Sequence, residues 1–349
     1  MARKRKSNII SLKDEIRKAW ESNAFRRIVH KGAIPQVVET TREGNPLKAL
    51  RARDGATIIY SDQKPLLEKK LNIVMVSGWA CYPSIWREQA KMLRPYTRII
   101  RVRKRGHFGS SLGKSNPYTY MRDIATDIKE VMDAEKIDEA LIMGHSMGGM
   151  IALNFYTVYP SRVLALGLVS SPAVNPLRST LIDASALTLP AELLFFFLQH
   201  MPVLDSIKES TVIRNNIMKT ILRFLVNGSL SDGEHELLDY EFRYFYDKLT
   251  RVSMETIAMA FRAMTKFDLR EMLQHVTVPT WVVAGLKDYA VNWRHSEYIA
   301  EKIGGNAMLS ILPGGHLQMM QMKATFNSEL LRFLNERLHL DLEIKDYTY

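Results

Sequence analysis

Four apolar residues, Ala140-Leu141-Ile142-Met143, run without a spacer into Gly144-His145-Ser146-Met147-Gly148-Gly149, and a helical pattern continues over 148–159. A chain that passes from a buried strand to a helix in so few residues must pinch its backbone, and side chains near the corner collide with it. Glycine on both sides of Ser146, at positions 144 and 148, relieves that crowding. The pattern predicts a strand, a tight turn and a helix, with Ser146 at the carboxyl end of a parallel strand. Ligands bind at that end in open α/β sheets, and the helix N-terminus favours developing negative charge there.

The rest of the chain fits the same architecture. Residues 49–62 alternate apolar and polar side chains around Asp54-Gly55 and read as an edge hairpin. Short apolar runs at 72–77, 97–102, 140–143, 163–170, 280–284 and 307–312 read as buried strands, and helical patterns at 119–134, 148–159, 293–303 and 325–338 separate most of them. Hairpin and runs together predict an α/β fold, a mostly parallel eight-stranded sheet with helices on both faces. Between residues 171 and 276 no strand pattern occurs, only helical runs such as 206–226 and 234–264. The expected organisation is a core of residues 49–171 and 277–349 with a helical cap, 172–276, inserted into it.

Residues 1–48 form a basic N-terminal extension. Its first thirty-one residues carry ten Lys or Arg against three acids, within a chain of formal charge +11. Ser11 to Asp14 resembles a capping box, and Ile9, Leu12, Ile16 and Trp20 fall on one helical stripe. This amphipathic helix is expected either to dock on its own domain or to contact an anionic membrane peripherally; nucleic acid is not the expected partner. The charged residues after Ile10 interrupt any apolar leader, so no signal peptide is read, and Pro190, Glu192 and Pro202 spoil the apolar stretch 187–204 as a bilayer span. A single cysteine, Cys81, cannot form an internal disulfide. Cytoplasmic location is therefore expected, with peripheral membrane association through the basic segment as its extension.

A serine hydroxyl is a weak nucleophile and needs a base, which in turn needs a group to orient it. Asp288 follows the run 280–284 and His316 follows the run 307–312, so both stand on loops after strands. Asp268 is the substitute acid; His145 reads as a packed turn residue and His107 as structural.

The order Ser146, Asp288, His316, together with GHSMGG, resembles the α/β-hydrolase fold superfamily in its cap-bearing lipase and esterase branch, over residues from about 49 to the last helix. The resemblance implies that Ser146 attacks an acyl carbon, His316 moves the proton and Asp288 holds the imidazolium. It places the oxyanion on the backbone N–H groups of Met147 and Trp79 and implies no metal or organic cofactor. Two departures stand out. Ser77-Gly78 replaces the customary His-Gly, and residues 103–110, RKRGHFGS, carry Arg103 where the family usually has an acid and Phe108 where it usually has a glycine. Serine at position 146 favours acyl chemistry, with a small ester or lipid-like molecule as the expected substrate. Phe195, Phe196 and Phe197 are the candidate pocket for an apolar acyl group. Acyl transfer, thioester and amide hydrolysis stay open on the same trio, as does a binding or signalling module that has lost its chemistry.

Overall fold

The computed structural model describes residues 35–41, 43–176, 252–288 and 290–342. Nine strands form one sheet: β1 Gln36–Thr40, β2 Pro46–Arg51, β3 Thr57–Gln63, β4 Leu71–Val76, β5 Thr97–Val102, β6 Ala140–His145, β7 Val163–Val169, β8 Thr280–Gly285 and β9 Ala307–Leu312. Their order is β1-β2-β3-β5-β4-β6-β7-β8-β9. The β1–β2, β2–β3 and β3–β5 pairings are antiparallel, and every pairing from β5 through β4 to β9 is parallel. The eight expected strands are β2 to β9. A ninth corrects the count: β1, whose sequence QVVET lies within the range read as the N-terminal extension, pairs at the antiparallel edge. An edge strand with exposed Val37 and two terminal polar residues has little apolar alternation to betray it.

Seven α-helices are described: α1 Arg87–Leu93, α2 Tyr120–Ala134, α3 Met147–Val158, α4 Met254–Thr265, α5 Arg294–Ile303, α6 Gln318–Gln321 and α7 Lys323–Leu338. Successive strand residues point to opposite faces. Val74, Val76, Ile142 and Val282 therefore meet Ile124, Ile128, Ile151 and Ile299 of α2, α3 and α5 on one side. Ile73, Met75, Leu141, Met143 and Trp281 meet Leu93 of α1 and Phe326, Leu330 and Phe333 of α7 on the other. Burial on both faces is why these strands read as continuous apolar runs rather than alternating ones. Each such Val, Ile or Leu contributes about 1.5–3 kcal/mol relative to an exposed position.

Val174 and Asp268 form an antiparallel bridge, and Leu269 N–H donates to the Ala173 carbonyl at 2.8 Å. Of the residues expected as a cap, 172–176 and 252–276 are described; they include α4, whose Ser253 cap accepts from Thr256 N–H at 3.2 Å. The helical run 206–226, the candidate pocket residues Phe195, Phe196 and Phe197, and the amphipathic helix of residues 1–34 lie outside the described residues. Among those described, no helix is long and apolar enough to cross a membrane.

Candidate active site

Ser146 sits between β6 and α3 with φ 55° and ψ −121°, a conformation an L-residue holds only at a cost of about 1–3 kcal/mol. Its N–H extends the β6–β7 ladder by donating to the Val169 carbonyl at 2.8 Å. Its own carbonyl accepts from Gly149 N–H at 2.9 Å and from Ser171 Oγ at 3.0 Å. The steric reading of the flanking glycines is visible as distances. A Cβ on Gly144 would lie 2.1 Å from the Gly148 carbonyl oxygen, and one on Gly148 would lie 2.3 Å from that of Val76. No side chain fits at either position.

Asp288 and His316 arrive from the two neighbouring strand ends. Past β8 and β9 the ladder persists, as Leu286 N–H donates to Leu312 O at 2.7 Å and Lys287 N–H to Gly314 O at 2.9 Å. Gly285 permits this approach, because a Cβ there would stand 2.4 Å from Gly315 O and 2.6 Å from Gly314 O. The loop carrying the histidine is thus pressed against the loop carrying the acid. His316 Nδ1 bonds Asp288 Oδ2 at 2.8 Å, with both side chains buried. The other carboxylate oxygen accepts from Ala290 N–H at 2.9 Å and Val291 N–H at 2.8 Å, which holds the acid in one orientation. Asp268, the substitute acid, is exposed and ion-paired with Arg270, and the acid that bonds His316 is Asp288.

Two further histidines lie near the trio. His145 is fully buried and contacts the His316 carbonyl through Nε2 at 2.9 Å, with ring centroids 4.6 Å apart. A carbonyl can only accept, so Nε2 carries the proton. Burial, helped by the nearby His316, pushes the His145 ring well below the usual imidazole range. It therefore buckles the backbone of His316 to the residue before Ser146 as a neutral ring. His295, at the start of α5, is buried and pushed down to about 4, with the Asp288 carboxylate opposing the effect of burial. No sequence pattern marked it. Among the described residues the Ser146 hydroxyl makes no hydrogen bond to His316; in resting sites of this kind such bonds commonly close with substrate.

Met147 opens α3, where the amides of the first turn have no intrahelical acceptor. Opposite it stands the loop after β4. A Cβ on Gly78 would meet Ser146 Cβ at 3.1 Å and His145 Nδ1 at 2.8 Å, which sets the backbone leading into Trp79 directly against the serine. The Trp79 side chain reaches away, donating from Nε1 to the Ile257 carbonyl of α4 at 3.2 Å and packing 5.7 Å from the Phe261 ring. Thr256 of the same helix donates to Gly106 O at 3.3 Å, so α4 closes over the loops after β4 and β5.

Behind the Trp79 loop lies a lysine that sequence reasoning passed over. Lys104 is 1 % exposed and donates from Nζ to Ser77 Oγ at 2.8 Å and to Cys81 O at 3.4 Å. In RKRGH it reads as one member of a solvated charge run.

A model described as the alpha/beta hydrolase family matches residues 73–328. A protein of Variovorax paradoxus (strain S110), provisionally named carbamate hydrolase RutD, is 26 % identical over 272 residues, covering 75 % of this chain and 91 % of its own. The 3-oxoadipate enol-lactonase 1 of Acinetobacter baylyi (strain ATCC 33305 / BD413 / ADP1) is 22 % identical over 282 residues, covering 78 % and 91 %. In three dimensions, the crystal structure of a hydrolase from Pseudomonas aeruginosa PA01 superposes with a TM-score of 0.68 at 24 % identity, over 82 % of this chain and 98 % of that one.

Proposed function

The chain belongs to the alpha/beta hydrolase family, and on that premise we propose that it is a serine hydrolase that cleaves a carboxylic ester through an acyl-enzyme. Ser146 Oγ adds to the acyl carbon as His316 Nε2 takes its proton, and Asp288 steadies the imidazolium through the Nδ1 bond. The tetrahedral oxyanion forms against Met147 N–H and Trp79 N–H, each donor worth about 3 kcal/mol by comparison with other oxyanion holes. His316 then protonates the departing alkoxide, and a water activated by the same imidazole releases the acid and restores Ser146. The observation that carries this reading is the 2.8 Å bond between buried His316 and Asp288, set beside a serine in a strained turn. A lactone is an internal ester and a carbamate carries an acyl-type carbon, so the names of the relatives support an ester-like bond.

For the acyl group we propose an apolar chain, on the strength of the run Phe195-Phe196-Phe197. The test has two parts. A fluorophosphonate probe should label the wild type at Ser146 and leave Ser146→Ala untouched; a folded wild type that stays unlabelled overturns the hydrolase reading in favour of a binding module. A series of p-nitrophenyl esters from acetyl to long-chain should then show kcat/KM rising with chain length, and a flat profile removes the apolar acyl group. Thioester and anilide arms in the same series separate the rival acyl chemistries.

A further inference from the structure

Lys104 stands out because burial and charge conflict there. Taking an ammonium out of water costs several kcal/mol unless a counter-charge compensates it. Its flanking arginines have made other arrangements: Arg103 bonds Phe108 O at 2.7 Å and the Tyr82 hydroxyl at 2.8 Å, and Arg105 grips Asp127 with two bonds of 2.7 Å. Lys104 instead faces Ser77 and Cys81 of the loop after β4, His107 of its own loop and His145 of β6, with His316 beyond His145. No carboxylate among the described residues balances it, and Cys81 gives the one opposing influence.

The contacts are specific. Ser77 Oγ receives the ammonium and itself donates to Cys81 O at 2.8 Å, while Lys104 also reaches Cys81 O. Between those two anchors runs a tight turn, with Cys81 N–H donating to Gly78 O at 3.1 Å and Ala80 at φ 55°. Trp79 lies inside it. Ser77 stands where the family customarily has histidine, so the lysine–serine pair occupies the support side of the oxyanion loop.

We propose that Lys104 is a positioning residue for acyl transfer at Ser146: its ammonium clamps both ends of the Ser77–Cys81 turn, holds Trp79 N–H toward the oxyanion, and adds positive potential there. The inference rests on the serine-hydrolase reading above. Burial pulls the lysine down to about 7, so the clamp loses its charge just above neutrality. Rising pH therefore discharges Lys104 and lowers the rate.

The test is the rate of Ser146 phosphonylation by a fluorophosphonate, measured from about pH 5.5 to 9.5, with p-nitrophenyl acetate turnover beside it. The wild-type rate should fall on the alkaline side of neutrality. Lys104→Met should phosphonylate roughly tenfold more slowly at the optimum, with no alkaline limb, and should lower kcat while KM stays within about twofold. Lys104→Arg, charged at every pH tested, should keep most of the rate and carry it past pH 8. A wild-type rate that holds level to pH 9.5, or a folded Lys104→Met that matches the wild type throughout, overturns the proposal. Should Lys104→Met fail to fold, an alkaline limb unmoved by Lys104→Arg overturns it equally. A folded wild type that never labels brings down the hydrolase reading itself, which a labelled wild type with an inert lysine does not.

Discussion

Two clusters of buried charge lie on this sheet, and they are managed in opposite ways. At the seam of β3 and β5, Asp62 accepts from Lys48 and from Arg98, each at 2.9 Å, and Glu135 accepts from Lys48 at 2.7 Å, from the Tyr60 hydroxyl at 2.6 Å and from Arg98. Under the loop after β4, Lys104 has a hydroxyl and a carbonyl for company, while His107 Nε2 and His145 Nδ1 have no hydrogen-bond partner among the described residues. In the first cluster every charge has a counter-charge. The Arg98 guanidinium and its two lysine neighbours hold the Asp62 carboxyl far below the usual carboxylate range, against the pull of burial. In the second, burial outweighs what opposes it: it holds His107 and His145 neutral and brings Lys104 down to about 7, which leaves the lysine able to change charge near neutral pH. Pairing fixes the charge of the first cluster; in the second, the lysine without a counter-charge is the group left responsive.

The strongest way to break this contrast is to compare losses of turnover. His316→Ala should cut p-nitrophenyl ester hydrolysis by about 10⁴-fold with the fold intact, and no folded variant of the Asp62–Arg98–Glu135 cluster should approach that loss. Arg98→Met should instead cost about 1.5–3 kcal/mol in urea unfolding, because it removes charged hydrogen bonds from two buried carboxylates that keep only lysines as cationic partners, and the specific activity of the folded fraction should be unchanged. Acid reports on the same pair. A carboxyl held below its unfolded value stabilises the protein above about pH 4 and loses that contribution as pH falls through the folded value, so Asp62→Asn should flatten the acid limb of the stability profile.

Lys104 should give the same rising slope in a higher window, but here it is the charged form that is penalised. A lysine whose folded pKa lies near 7 gives up its proton on folding between there and about 10.4, the unfolded value, so its burial penalises the fold below 7 and is relieved as pH rises. The stability of the wild type minus that of Lys104→Met should therefore climb by more than about 1 kcal/mol from pH 6 to pH 10, measured by urea melts at each pH. A level difference would place Lys104 with the first cluster. The smallest effect is expected at Asp268: its exposed pair with Arg270 should be worth under about 0.5 kcal/mol, and Asp268→Asn should leave hydrolysis within about twofold.

Sequence reasoning went furthest where the physics is local. An apolar run flanked by turn residues marks a strand buried on both faces, and β4 to β8 announced themselves that way; β9, at the sheet edge with alternating burial, was legible from its apolar run as well. Gly144 and Gly148 could be read as relief for Ser146 because the collisions they avoid involve backbone only a few residues away or on the next strand. The loop positions of Asp288 and His316 followed from the ends of the same runs. β1 escaped because an edge strand buries too little to pattern its sequence.

What the residues alone determined is the succession of strands and the corner that presents Ser146, since backbone sterics and apolar periodicity act over short stretches of chain. The tertiary fold decided which acid meets His316, through the approach that Gly285 allows between two loops nearly thirty residues apart, and it decided that one lysine in RKRGH is taken out of water while Arg105 beside it finds Asp127. Charge carries no periodic signature. Whether a cation ends in solvent, in a pair or alone beneath a loop depends on what distant segments bring to it.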